Sequence, residues 1–295
     1  MTAAHAAALH FDGRAEATKK RLQKLKAAGL VAERSRRAYE PAILFLTTGG
    51  LALLNERGVL ADYPPLSLPS LYKRATVSDL TIRHELLVMD VKAAFHDAVR
   101  GTKPFTVAEF GTWPRLYQFE AVMGAGGETV VRPDGFIRIH ENEPDGGLSE
   151  HVFFLEVDRS TETLDTLASR ANGYLHYYKS GGFALKNGAL RSAYKDYPFR
   201  VLMVFKTAER RNNMAECLLQ NIPPILTQVY LSTIEEVRKD PLGPIWIRPV
   251  DYRDAVSNTP FDPAERSEQW PYQRQTAREA LVEQRAKRHC LLVEN

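Results

Sequence analysis

The chain has 295 residues, 44% of them hydrophobic, and a formal net charge of +3. That supports one to three globular domains with ample core, and no apolar run approaches the roughly eighteen residues of a membrane span. Two cysteines, Cys217 and Cys290, exclude a disulfide framework or a cysteine-rich zinc site, so a cytoplasmic location is the default expectation.

Residues 1–10 are alanine-rich but lack the basic start and long apolar stretch of a signal peptide. The charge is unevenly spread. Residues 14–37 hold Arg14, Lys19, Lys20, Arg21, Lys24, Lys26, Arg34, Arg36 and Arg37 against Glu16 and Glu33. Such a patch fits either a polyanion partner or a solvated helix face. Thr18, Leu22 and Leu25 recur at i, i+4 and i+7 and predict a helix with one packed face, most of the lysines lying elsewhere on it. Gly29 follows as its C-cap, with Leu30 set to close a Schellman contact. Residues 30–33 predict a strand, 34–38 a basic turn and 42–46 a return strand. Thr47-Thr48-Gly49-Gly50 then opens a helix over 51–57, ended by Gly58.

Pro64, Pro65 and Pro69 mark a linker over 61–78. Residues 83–99 place Leu86, Leu87, Val91 and Phe95 on a broad apolar helix face. A strand follows at 105–110. Gly124-Ala125-Gly126-Gly127 lacks the Lys-Ser/Thr of a phosphate loop and reads as a hairpin turn. Residues 130–140 and 151–158 predict paired strands joined by Glu141-Asn142-Glu143-Pro144-Asp145-Gly146-Gly147. A helix over 161–179, a buried strand over 199–205, helices over 210–220 and 225–238, and a short strand over 244–248 complete the core. Residues 251–271 read as loop and 272–288 as a charged, exposed helix. The order predicts an α/β core with a mixed sheet.

The chemistry concentrates in the central hairpin. Strand side chains alternate faces, so Glu156 and Asp158 point the same way. A turn near Asp145-Gly146 sets Asp134 opposite Glu156 to within about one residue. Three carboxylates then share one patch and repel unless protons or a cation intervene. Mg²⁺ takes oxygens of this kind and can activate water against a phosphodiester. The eight histidines show no metalloprotease spacing.

Two resemblances follow from these residues. Arg21-Leu22-Gln23-Lys24-Leu25, Gly29-Leu30-Val31 and Leu46-Thr47-Thr48-Gly49-Gly50-Leu51 resemble a winged helix-turn-helix. That implies a recognition helix over 14–28 and a wing over 34–37, with Lys19, Lys20, Lys24, Arg34, Arg36 and Arg37 on DNA. It also implies a first helix ahead of residue 1, so either the start is truncated or another element is expected to fill that place. Arg132-Pro133-Asp134-Gly135, Phe154-Leu155-Glu156-Val157-Asp158-Arg159, Arg170-Ala171-Asn172-Gly173-Tyr174 and the strand ending at Phe205 before Arg210 resemble the PD-(D/E)xK nuclease superfamily. More closely, they resemble the replication-relaxation family of bacterial and plasmid proteins. The expected organisation is a winged helix-turn-helix module (1–60), a linker (61–78), a PD-(D/E)xK-like mixed-sheet α/β domain (79–250) and a C-terminal loop and charged helix (251–295).

The resemblance implies Asp134 and Glu156 as ligands of Mg²⁺ or Mn²⁺ and Asp158 as a third ligand or a base, with Arg170 (or Lys179) steadying phosphate charge and Glu85 and Tyr174 in support. Asp158 stands where the superfamily usually has a lysine that orients the attacking water. Three expectations therefore stand side by side. One is a metal-dependent endonuclease or nickase in plasmid or mobile-element replication or in defence. Another is a non-catalytic DNA-binding accessory protein or transcriptional regulator on an inactive nuclease fold. A third is an assembly protein whose modules bind proteins of a replication or defence system. A homodimer is expected by analogy with winged-helix proteins, and no membrane partner.

Overall fold

The computed structural model describes residues 1–34, 39–64, 69, 73, 76–122, 128–257 and 270–292. The chain divides into two compact units, residues 1–103 with 111–115, and residues 104–110 with 116–295.

The first unit begins with α1 (Ala3–His10), closed by a capping box between Thr2 and His5. Asp12 and Gly13, both at positive φ, turn the chain into α2 (Ala15–Ala27). Thr18 and Leu22 are buried on α2 and Leu25 is half-buried, as the heptad-like spacing requires. The helix ends in a full Schellman motif: Gly29 at φ +67 donates to Lys26 and Leu30 donates to Leu25 at 3.0 Å. Strands β1 (Val31–Glu33) and β2 (Leu44–Leu46) pair antiparallel, and Thr2 bridges Ile43 beside them. Next comes α3 (Thr48–Glu56), which starts three residues earlier than the expected 51 because the Thr47 hydroxyl caps Gly50 N at 3.0 Å. Gly50 is required there, since a Cβ would lie 2.3 Å from the Leu30 carbonyl. Helix α4 (Asp79–Arg100), capped by Ser78, also begins earlier than expected. It packs on α1, with His5 Nε2 2.7 Å from Asp90 Oδ1. The sequence groups this helix with the sheet; its contacts put it in the first unit.

The second unit is a mixed five-stranded sheet in the order β3 (Phe105–Gly111), β6 (Gly135–Asn142), β7 (Leu148–Val157), β8 (Arg200–Phe205), β9 (Val229–Thr233). Strands β6 and β7 are antiparallel, while β7, β8 and β9 run parallel. Helices α5 (Leu164–Lys179) and α7 (Ala208–Gln220) supply the crossovers, with a short α6 (Gly182–Lys186) and a 3-10 turn at Arg191–Asp196 between them. Rings of Phe119, Phe136, Phe154, Tyr174, Tyr177, Phe183 and Phe199 fill the space under α5. Among the described residues no helix is long and apolar enough to cross a membrane.

Three expectations are corrected. The strand expected over 130–140 is broken: β5 (Glu128–Val131) pairs with β4 (Phe119–Val122) in a separate two-stranded sheet, and β6 starts only at Gly135. Pro133, with no N–H to give a ladder, sits in the gap. The helix expected over 225–238 is strand β9 followed by α8 (Ile234–Lys239), because Val229-Tyr230-Leu231 completes the parallel sheet and Thr233 with Glu236 starts a helix by a capping box. The C-terminal stretch is not all loop and exposed helix. Helix α9 (Pro249–Ser257) buries Tyr252 and Ala255, α10 (Trp270–Arg285) buries Val282, and Ala286, Leu291 and Leu292 beyond it are buried as well. The Gly124–Gly127 turn lies outside the described residues.

Candidate functional site

The β6–β7 register, Gly135 opposite Leu155 and Asn142 opposite Leu148, centres the turn on Asp145. Continued one step, it sets Asp134 across from Glu156. Asp134 Oδ2 accepts the Val157 N–H at 2.8 Å, which ties the start of β6 to the end of β7. Glu156 shares the inner face of β7 with Phe154 and is 2% exposed. Its Oε1 accepts the Tyr174 hydroxyl at 2.5 Å, and its Oε2 accepts Arg170 Nη1 at 2.7 Å. Arg170 and Tyr174 stand one turn apart on α5, so both reach the same carboxyl.

Asp158, 7% exposed, lies just past β7. Its Oδ1 accepts Ser160 N at 3.0 Å, a turn that holds Ser160 at φ +64. Arg210, the third residue of α7, grips both oxygens of Asp158 through Nε and Nη2 and also reaches the Glu162 carbonyl. Arg170 Nη2 meanwhile spans both carboxylate oxygens of Glu162, at 3.0 and 3.1 Å. Two guanidinium groups therefore interleave with the acidic side chains.

Burial pushes the Glu156 carboxyl up to about 8; the Asp134 charge adds to this, while Arg170 and the Tyr174 hydroxyl oppose it. Burial, and then the charge of Glu156, hold the Tyr174 hydroxyl well above its ordinary value, so it remains a donor. Burial alone would lower Arg170, but Glu156 and Glu162 outweigh it and raise the guanidinium.

This geometry does not fit the expected Mg²⁺ or Mn²⁺. A hard divalent ion needs open carboxylate oxygens. Here both oxygens of Glu156 and both of Asp158 have donors. Among the described residues no group of three His, Cys, Asp or Glu side chains is arranged to hold a metal. The patch is compensated by arginine instead.

The expected residues are thus partly brought together. Asp134, Glu156, Asp158, Arg170 and Tyr174 meet at the end of β7. Lys179 is exposed, nine residues and about 13 Å of helix beyond Arg170. Glu85 lies on α4 in the first unit. Arg210 and Glu162 were not foreseen as partners of this patch. The family resemblance names Arg210 only as following the strand, and its local signal is a place just inside a Thr207-capped helix directly after a buried strand.

In the first unit Lys19, Lys20 and Lys24 are exposed on α2 beside Arg21. Lys26 instead pairs with Glu33. Arg34 turns to the Val77 carbonyl at 2.8 Å and to Asp79 at 3.0 Å, at the start of α4. Arg36 and Arg37 lie outside the described residues.

A sequence model of the replication-relaxation family matches residues 1–191, which takes in the basic helix, the hairpin carboxylates and all of α5. The chain belongs to the replication-relaxation family. Nothing matches it among curated proteins or among solved structures. Membership in the replication-relaxation family points to a role in plasmid or mobile-element replication or relaxation. The matched span ends shortly after α6, so Arg210, the cation that holds Asp158, lies outside it.

Proposed function

We propose that this replication-relaxation protein is a DNA-binding accessory factor of plasmid or mobile-element replication, its second unit being a nuclease-like scaffold that works without metal. The observation that carries this reading is the arginine compensation of the patch: Arg170 on Glu156 and Arg210 on Asp158 stand where an active nuclease would need open oxygens. The missing lysine at position 158 points the same way.

DNA binding is supported by the first unit. Thr2 bridging Ile43, two helices joined by the Asp12-Gly13 turn, and the β1–β2 ribbon have the order of a winged helix-turn-helix with α2 as recognition helix. Lys19, Lys20, Arg21 and Lys24 are exposed on that helix, as contacts to phosphate require.

Fluorescence anisotropy with a labelled duplex at several salt concentrations tests the binding. Affinity is expected to fall steeply with salt, and the double variant Lys20→Ala, Lys24→Ala to flatten that slope by about 0.9 for each phosphate left unneutralised. Binding that ignores salt and both substitutions would favour a protein partner for this unit. Incubation of supercoiled plasmid with Mg²⁺ or Mn²⁺ tests the rest. No nicking is expected; nicking by the wild type that disappears in Glu156→Ala would establish the metal-dependent nickase instead.

A further inference from the structure

A second feature of the sheet unit lies away from the carboxylates. The β4–β5 hairpin, the end of α5, α6 and the 3-10 turn enclose an open cavity of about 370 Å³. That falls in the range of small-ligand sites, roughly 300–1,000 Å³. Phe119 and Tyr177 form its floor, with ring centroids 4.0 Å apart and nearly parallel. Leu185, half exposed, supplies an apolar wall. Lys186 and Arg191 enter from one side and Glu120 from the hairpin.

Both cations are anchored by backbone rather than neutralised. Lys186 Nζ donates to the Gln118 carbonyl at 3.2 Å and lies 4.0 Å from the Tyr117 ring centroid. Arg191 Nη1 donates to the Ser180 carbonyl at 3.0 Å. Among the described residues neither has a carboxylate within ion-pair distance, in contrast to Arg138, Arg170, Arg210 and Arg211 of the same unit. Partial burial depresses Lys186, which marks a cation lacking its counter-charge. The backbone is built for this closeness. A Cβ at Gly181 would lie 2.2 Å from the Arg191 carbonyl, and one at Gly182 would lie 2.3 Å from the Tyr177 ring.

The lining narrows the ligand. Two unneutralised cations call for an anion. Glu120 disfavours an anion with no donors of its own and welcomes an amine or hydroxyl. Phe119 and Tyr177, stacked on each other and 6% and 5% exposed, offer ring edges only, and with the half-exposed Leu185 they ask for a partly apolar body beside the anion. We infer that this cavity binds a nucleoside monophosphate unit, with phosphate on Lys186 and Arg191 and the base edge toward Glu120. The unit comes either as a free nucleotide or as the terminal residue of a single DNA strand. This inference does not depend on DNA binding by α2.

Isothermal titration of the full chain with 2′-deoxyadenosine 5′-monophosphate, and anisotropy with a 5′-phosphorylated oligodeoxyadenylate, test it. Lys186→Met and Arg191→Ala replace surface side chains and are each expected to weaken binding at least tenfold. Glu120→Gln is expected to lower the preference for the nucleotide over inorganic phosphate. The Lys20→Ala, Lys24→Ala variant should leave mononucleotide binding unchanged, so failure of the α2 reading and failure of this one are separable. Binding of both probes identifies a free nucleotide as sufficient; binding of the oligonucleotide alone, still sensitive to Lys186→Met, identifies a strand end. No binding of either probe, binding indifferent to both cation variants, or inorganic phosphate binding as tightly as the nucleotide would overturn the assignment.

Discussion

Arg170 Nη1 lies 2.7 Å from Glu156 Oε2, a contact between helix α5 and the buried end of strand β7. It replaces what a cation would supply at that carboxyl. Removing one partner of such a pair leaves a charge with nowhere to go. Arg170→Met should cost about 2–4 kcal/mol, toward the low side because Glu156 can take up a proton instead. The double variant Arg170→Met, Glu156→Gln should recover part of the loss. Urea unfolding of the four proteins in a double-mutant cycle measures the coupling; a coupling near zero would show that the pair does not hold the site.

The raised Glu156 carboxyl links stability to pH. Its folded-state value is about 8 against an ordinary 4.5. Between those values the folded chain holds a proton that the unfolded chain has released, so unfolding is opposed more strongly at lower pH. Stability from this group is complete below about pH 4.5, declines as pH rises through 8 and is flat above. Glu156→Gln should remove that slope. Urea midpoints at pH 5, 7 and 9 read it directly, and a wild-type midpoint that rises from pH 5 to pH 9 relative to the variant would contradict the shift.

Gly50 offers a test of the first unit in which the sign is diagnostic. Within an exposed helix Gly→Ala usually stabilises by about 0.5–1 kcal/mol. Here the added methyl would meet the Leu30 carbonyl at 2.3 Å and the Leu46 side chain at 2.6 Å. Gly50→Ala should therefore destabilise, by about 2 kcal/mol or more. Thermal unfolding followed by circular dichroism decides it, and a raised Tm would sink the packing described for α3.

The basic residues of the N-terminal patch should separate by role. Arg34 is occupied by Val77 and Asp79, whereas Lys20 is exposed on α2. Arg34→Ala should leave the salt slope of duplex binding unchanged and lower the stability of the first unit. Lys20→Ala should do the reverse, reducing the slope by about 0.9. Equal loss of slope in both variants would place the arginine on DNA as well.

What could be read along the chain was whatever rests on short range. The periodicity of Thr18, Leu22 and Leu25, the Gly29-Leu30 cap and the turn centred on Asp145 each depend on a few neighbouring residues, and all three appear as expected. The facing of Asp134 and Glu156 was legible for the same reason, because a hairpin's turn sets its register. Arg170 and Tyr174, named with the site from their shared helix face, do meet Glu156, but the partner of Asp158 was not legible. Arg210 is 52 residues from Asp158 and meets it only once β8 has paired beside β7 and α7 has returned over the sheet. Strand β9 resembled a helix until parallel pairing with β8 satisfied its backbone. Whether acidic side chains on a strand end hold a metal or an arginine is settled by which distant helix delivers a charge to them, and electrostatic energy depends on that distance in space, with no trace in local spacing.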